Sequence, residues 1–334
     1  MAMERYQQPY LFLTKQLMWS MLGLAALWGA MSLDYHVFRE EKVIWACLGA
    51  VALCLIAVLF SPPVNNARRW FSIGGLGIQP SELAKLVAIF FIASMLERRM
   101  HRINEVGYAL LPIGLVVGLL IALILLEPDF GTSMSLALIA GVMVFGAGLN
   151  YLYVIGAAAL AIPAAAVVMW GAAYRRARLL AFMDPWADPQ GTGFQLIQSL
   201  IAVGTGGVTG KGLMQGVQKL FYLPEPHSDF IYAVISEELG LIGAAAVLIC
   251  FCVITWRGLR IASRAPDTFG AFVALGLTTM ISVQALVNIS VVLGLLPTKG
   301  IPLPFVSAGG SSLIINLLGM GVLLNVSQHA SADA

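Results

Sequence analysis

Apolar stretches of roughly 18–25 residues recur along this chain, and that recurrence restricts its fold more than any other feature. A hydrocarbon core about 30 Å thick is crossed by about 20 residues of helix. No water is available there, so every backbone N–H and C=O must be paired within the protein. Only helices and closed barrels meet that demand. The apolar residues run continuously instead of alternating, which selects helices. Charge content agrees: 11% of the 334 residues are charged and 59% are hydrophobic, against about 25% charged in soluble domains.

Nine spans follow, at residues 16–33, 43–60, 80–97, 109–126, 132–149, 152–171, 229–256, 270–295 and 307–326. The chain is therefore expected to be an all-α polytopic membrane protein, a single transmembrane domain over 1–334. Most connections are short. Residues 172–228 form one long loop, and its aromatics (Phe182, Trp186, Phe194, Phe221, Tyr222) predict that it folds back onto the membrane surface. No internal repeat is visible, which disfavours an inverted-repeat transporter.

Loop charges set the orientation. Three very short loops hold Arg39 and Lys42, then Arg98, Arg99 and Arg102, then Arg257, Arg260 and Arg264. Their density assigns that side to the cytoplasm and places the long loop outside. Basic residues still remain on the outer side, among them Arg68, Arg69, Arg175, Arg176, Arg178, Lys211, Lys219 and Lys299. They point to an anionic substrate there. No signal peptide with a cleavage site is expected at the start of the sequence.

Three function classes are disfavoured. A net charge of +2 without a polybasic run gives no nucleic-acid signal. The four cysteines, Cys47, Cys54, Cys250 and Cys252, lie inside apolar blocks with no His or carboxylate at metal-ligand spacing. The segment Gly204-Thr-Gly-Gly-Val-Thr-Gly-Lys-Gly212 is similar to a phosphate-binding P-loop but fails its pattern. Thr205 stands where the first Gly belongs, Gly212 follows the Lys, and no strand precedes it.

Four places carry residues that an apolar span does not need. Ser228 and Asp229 stand where the long loop meets a long apolar helix, and either could cap it. Two turns on, Glu237 lies about 12 Å deeper, with Glu238 beside it. A carboxylate at membrane depth costs at least ~2.5–3.5 kcal/mol, so it is paired or functional. Arg69 precedes Gln79-Pro-Ser-Glu-Leu-Ala-Lys85, in which Pro80 suits a first helical turn and Glu82 can pair with Lys85 one turn on. In Leu296-Pro-Thr-Lys-Gly-Ile-Pro-Leu-Pro-Phe-Val-Ser-Ala-Gly-Gly-Ser-Ser312, three prolines forbid regular helix, and free N–H groups next to a helix start suit an anion.

Together these segments resemble the SEDS family (shape, elongation, division and sporulation). The resemblance covers nearly the whole chain. It is densest in Gln79–Lys85, Glu127-Pro-Asp-Phe-Gly-Thr132, Gly193-Phe-Gln-Leu-Ile-Gln-Ser199, Pro224-Glu-Pro-His-Ser-Asp-Phe-Ile231 and Pro302-Leu-Pro-Phe-Val-Ser307. Leu296-Pro-Thr-Lys-Gly300 resembles the FtsW-like division branch more than the RodA-like elongation branch. Ala308 departs from the family pattern. Members usually have ten spans, and the stretch 7–16 is similar to the loop after their first helix. The resemblance thus implies one more span encoded upstream of Met1.

The resemblance implies a peptidoglycan glycosyltransferase of the bacterial cytoplasmic membrane, at the division septum, that polymerises lipid II and releases undecaprenyl pyrophosphate. Asp229 occupies the position of the family's catalytic aspartate and is assigned as general base. Arg69, Lys85 and Lys299 are assigned to the pyrophosphate, and Gln195 and Gln198 to sugar or to loop order. Glu82, Glu237, Ser307 and Ser311 are assigned supporting roles. A divalent cation is compatible with Asp229, although the sequence offers no ligand set. Implied partners are the growing glycan strand, a class B penicillin-binding transpeptidase and divisome proteins. The rival readings are a lipid II flippase and a non-catalytic transpeptidase scaffold. Polar clusters gathered at one membrane face favour the enzyme.

Overall fold

The computed structural model describes residues 11–63, 67–73, 76–221, 223–224 and 227–330. Residues 7–10, Tyr222, Glu225 and Pro226, on which some of the expectations above fall, lie outside them. In chain order the helices are α1 Leu11–Ser32, α2 Glu41–Val58, α3 Pro80–Arg99, α4 Leu111–Leu126, α5 Phe130–Gly146, α6 Tyr151–Gly171, α7 Ala173–Met183, α8 Phe194–Gly206, α9 Gln218–Phe221, α10 Ile231–Arg264, α11 Thr268–Val292 and α12 Gly310–His329. A helix occupies each of the nine expected spans. Six are long and apolar enough by composition to cross a membrane: α2, α4 with the turn before it, α6, α10, α11 and α12. Of the other three, α1 has 22 residues, α3 carries charges in its first and last turns, and α5 has 17 residues.

The structure differs from the sequence expectation in three places. Phe71–Ile73 (β1) and Leu76–Ile78 (β2) form a short antiparallel hairpin with Phe71 opposite Ile78, a local addition to the expected helical membrane fold. The long loop contains α7 and α8, and α8 is an apolar helix of 13 residues, too short to span. The third difference is a break in α10 at Gly240 (φ 65°, ψ −161°).

Within the stretch 1–334 the chain forms two compact units. The loop unit comprises Tyr151–Val253 and Gln284–Ala308. The bundle unit comprises the described residues up to Asn150, Ile254–Val283 and those from Gly309 onward.

In the bundle unit α3 is the spine, buried along nearly all of Pro80–Leu96. Pro80 opens it with a pre-set φ, Glu82 lies at its positive end, and Arg98 and Arg99 lie at its negative end. Lipid tails give helices no hydrophobic reason to associate, so close packing must come from small residues. Gly321 of α12 supplies that against α1: a Cβ there would stand 2.4 Å from the Leu27 carbonyl oxygen.

In the loop unit α6 has no buried residue and is apolar all round, as a lipid-facing helix should be. Helix α8 buries Leu196, Ile197, Ser199 and Ala202. Ser199 Oγ donates to the Val292 carbonyl at 2.8 Å, which ties α8 to the end of α11.

Candidate functional site

Asp229 lies half-buried in the 227–230 turn that leads into α10. Its backbone is held from two directions. Asn288 Nδ2 donates to the Asp229 carbonyl at 2.8 Å and to the Ile301 carbonyl at 2.7 Å. One buried amide thus joins the turn to the proline-rich segment after α11. Ser307 Oγ donates to the Ser228 carbonyl at 2.5 Å and accepts from the Leu303 N–H at 2.7 Å. Ala308 N–H closes the frame on the His227 carbonyl at 2.9 Å.

This frame aims the carboxylate at Gly300. A Cβ on Gly300 would stand 2.7 Å from Asp229 Oδ2. Glycine therefore gives the carboxylate room beside the backbone that carries Lys299, which is itself half-buried. The Thr298 carbonyl accepts from Arg178 Nη1 of α7 at 3.4 Å. The segment 298–300 therefore brings an acid and two cationic residues to one place in the loop unit. Gln195 and Gln198 lie three residues apart on α8 in the same unit, both half-buried.

Glu237 and Glu238 belong to a different cluster. Because α10 breaks at Gly240, carbonyls and N–H groups on either side of the break lose their helical partners. The glycine-rich segment replaces them. Lys211 N–H donates to the Glu237 carbonyl at 3.0 Å, and Gly212 N–H to the Glu238 carbonyl at 3.0 Å. Leu241 N–H donates to the Gly207 carbonyl at 2.9 Å. A Cβ on Gly206 would stand 1.9 Å from the Ser236 oxygen, and one on Gly210 2.1 Å from the Glu238 oxygen. The glycines that mimic a P-loop thus form a clasp around a broken helix.

The two glutamates lock that clasp. Glu237 is fully buried and accepts from Lys211 Nζ at 2.8 Å, Val217 N–H at 3.0 Å and Gln218 N–H at 3.2 Å. Glu238 accepts from Lys219 Nζ and from Met214 N–H at 3.1 Å. Glu237 therefore orders residues 211–218, and its carboxylate is engaged there instead of at Asp229.

The bundle unit holds the other assigned residues. Lys85 Nζ pairs with Glu82 Oε1 at 3.0 Å, and both side chains are almost wholly buried. Gln79 Nε2 donates to Ser81 Oγ at 2.9 Å and to Asp129 Oδ2 at 3.0 Å. The two separate motifs Gln79–Lys85 and Glu127–Thr132 thus meet. Asp129 also caps α5 by accepting from Gly131 and Thr132 N–H at 3.2 and 3.1 Å. Ser311 Oγ accepts from Gln79 N–H at 3.3 Å. Arg69 donates to the Glu127 and Pro128 carbonyls at 3.1 and 3.2 Å.

Glu127, in the turn between α4 and α5, is fully buried, and among the described residues neither carboxyl oxygen has a hydrogen-bond partner. Burial pushes its pKa up to about 8, Asp129 adds to the rise, and Arg69 opposes it. Sequence reasoning gave no role to Glu127, Asn288 or Gly300. All three owe their importance to contacts distant in sequence.

A family model described as a cell cycle protein, covering FtsW, RodA and SpoVE, matches residues 1–332. A probable peptidoglycan glycosyltransferase FtsW from Geobacter sp. (strain M18) is 42% identical over 341 residues, covering 100% of this chain and 91% of the relative. Stage V sporulation protein E of Bacillus subtilis (strain 168) is 40% identical, covering 98% of this chain and 89% of the relative. A solved structure of a peptidoglycan synthase complex, described as coordinating polymerization and crosslinking, includes a chain that superposes with a TM-score of 0.80 at 31% identity. The match covers 98% of this chain and 92% of that one. With its motifs in order and its polytopic helical fold shared along the whole length, the chain belongs to the FtsW/RodA/SpoVE family.

Proposed function

We propose that this chain is a peptidoglycan glycosyltransferase that polymerises lipid II into glycan strands during septal wall synthesis. The observation that carries the mechanism is the Asp229 carboxylate, seated against Gly300 and next to Lys299 in a frame built by Asn288 and Ser307. A relative named as a peptidoglycan glycosyltransferase supports the reaction class.

The acceptor sugar presents a hydroxyl, and the donor presents an anomeric carbon bonded to a lipid pyrophosphate. Asp229 takes the hydroxyl proton as the oxygen attacks that carbon. The new C–O bond forms while the bond to the pyrophosphate oxygen breaks, and the electron pair leaves with the pyrophosphate. A placed carboxylate base contributes about 10²–10⁴-fold. Lys299 is proposed to meet the developing negative charge. Gln195 and Gln198 are proposed to take sugar hydroxyls. Among the described residues no three His, Cys, Asp or Glu side chains converge as a metal site.

The partner proposed for this chain is a class B penicillin-binding transpeptidase, recruited with divisome proteins. The support is the solved complex that couples polymerization to crosslinking. The test reconstitutes the chain with that partner in vesicles containing labelled lipid II. Glycan polymer is the expected product. Transbilayer movement of lipid II without polymer would favour a flippase, and neither product with intact partner binding would favour a scaffold.

A further inference from the structure

Arg175, Arg176 and Arg178 lie in the first half of α7, in the loop unit. Cations are disfavoured near the positive end of a helix, and α7 has no acid in its first turn to offset them. Among the described residues none of the three arginines forms an ion pair. The acids of the unit are engaged elsewhere: Glu237 with Lys211, Glu238 with Lys219, Asp188 with the Gly191 and Thr192 N–H groups, and Asp184 with the Trp186 N–H. The remaining described acid is Asp229, the proposed base. Arg175 Nε is buried, and it has no hydrogen-bond partner among the described residues. Such a donor calls for an acceptor from outside the chain.

Arg175 and Arg178 are three residues apart and are neighbours on one side of α7. Arg176 lies about 160° round the helix from Arg178 and is exposed. The Arg178 guanidinium carbon lies 5.2 Å from the centre of the Tyr174 ring, which steadies its plane. Among the described residues its hydrogen bonding is confined to Nη1, which donates to the Thr298 carbonyl at 3.4 Å. That bond is long, and the other donors of the guanidinium stay open. Lys299 comes next in the chain, then Gly300, against which Asp229 Oδ2 is seated. Trp170 near the end of α6 and Trp186 after α7 are both exposed, and exposed Trp marks headgroup depth. The arginines stand between them in the chain, at the level of a membrane-anchored phosphate. The loop charges assign this end of α6 to the outer face.

We infer that Arg175 and Arg178 form a subsite beside Lys299 for the pyrophosphate of the lipid-linked sugar donor. The identity of that lipid rests on the glycosyltransferase reading. Guanidinium forks match phosphate oxygens, and a phospholipid headgroup offers related chemistry with a single phosphate, so the test separates the two. Purified full-length chain in detergent is titrated with undecaprenyl pyrophosphate or phosphatidylglycerol, and bound lipid is counted by native mass spectrometry. The pyrophosphate is expected to bind more tightly. Its affinity is expected to fall about tenfold in Arg175→Gln and again in Arg178→Gln, the scale of one charge-assisted hydrogen bond. Arg176→Gln is expected to bind as the wild type does. Arg178→Gln also removes the bond to Thr298, whereas Arg175→Gln breaks no hydrogen bond among the described residues, so its loss reports the ligand contact alone. Equal binding of the two lipids by the wild type would overturn the subsite, as would pyrophosphate binding that is absent or unchanged in Arg175→Gln and Arg178→Gln. Polymerisation of labelled lipid II by the wild type with its partner checks the reading separately. Polymer without arginine-dependent pyrophosphate binding would overturn the subsite alone. Arginine-dependent binding without polymer would overturn the polymerase reading and leave the subsite standing.

Discussion

Asp229 Oδ2 lies 2.7 Å from the point where a β-carbon on Gly300 would stand. No side chain fits there without moving the carboxylate. Gly300→Ala is therefore expected to keep the fold and lower kcat by about 10- to 100-fold, the scale on which a 1 Å misplacement acts. Polymerisation rates at saturating lipid II check it. An alanine variant with wild-type kcat would show that the position of the carboxylate does not matter.

Asn288 is expected to matter through its donor. Asn288→Asp keeps the shape but turns an oxygen toward the Asp229 and Ile301 carbonyls. Asn288→Ala only leaves them unpaired, at about 1–3 kcal/mol for each buried group. The aspartate variant should therefore lose more thermal stability and more activity than the alanine variant. The reverse order would contradict the frame described above.

The clasp predicts an asymmetry between partners. Lys211→Met strands the Glu237 carboxylate, which is wholly buried, at a cost of about 3–5 kcal/mol. Glu237→Gln strands a lysine whose side chain is 34% exposed and can hydrate, so its cost is smaller. Thermal unfolding ranks the two variants, and limited proteolysis over 207–219 reports the clasp itself. Equal losses would mean that the ion pair does not hold the loop.

Glu127 predicts a pH dependence. Its carboxyl ionises near 8 in the fold against an ordinary value of 4.5. Between those values the folded chain keeps a proton that the unfolded chain releases, so stability falls as pH rises through the window and levels off above it. Glu127→Gln removes the titration. Its melting temperature should gain on that of the wild type from pH 5 to pH 8.5. A constant difference across that range would show that Glu127 does not titrate in this window.

The helices were legible because a span of about 20 apolar residues is a coarse and robust signal. Each predicted span holds a helix, although several ends move by a few residues. The hairpin at Phe71–Ile78 was not legible, since strands of three residues are too short to show an alternating pattern. Nor was the break in α10: Gly240 sits between leucines in an apolar run, and a lone glycine is tolerated within a helix. Only the approach of Gly206–Gly212 shows why it is there. Asp229, Glu82 and Lys85 could be picked out because charge is rare in such a chain. Asn288 and Gly300 could not, because neither residue type is unusual in its segment and both act on a turn about 60–70 residues earlier in the chain.

The most direct test compares wild type with Asp229→Asn, each purified with its transpeptidase partner and supplied with labelled lipid II. Asparagine keeps the shape of the side chain but cannot take the hydroxyl proton. Glycan polymer from the wild type alone, with partner binding unchanged in the variant, is the predicted result. Polymer from both at similar rates would contradict the assignment of Asp229 as the base.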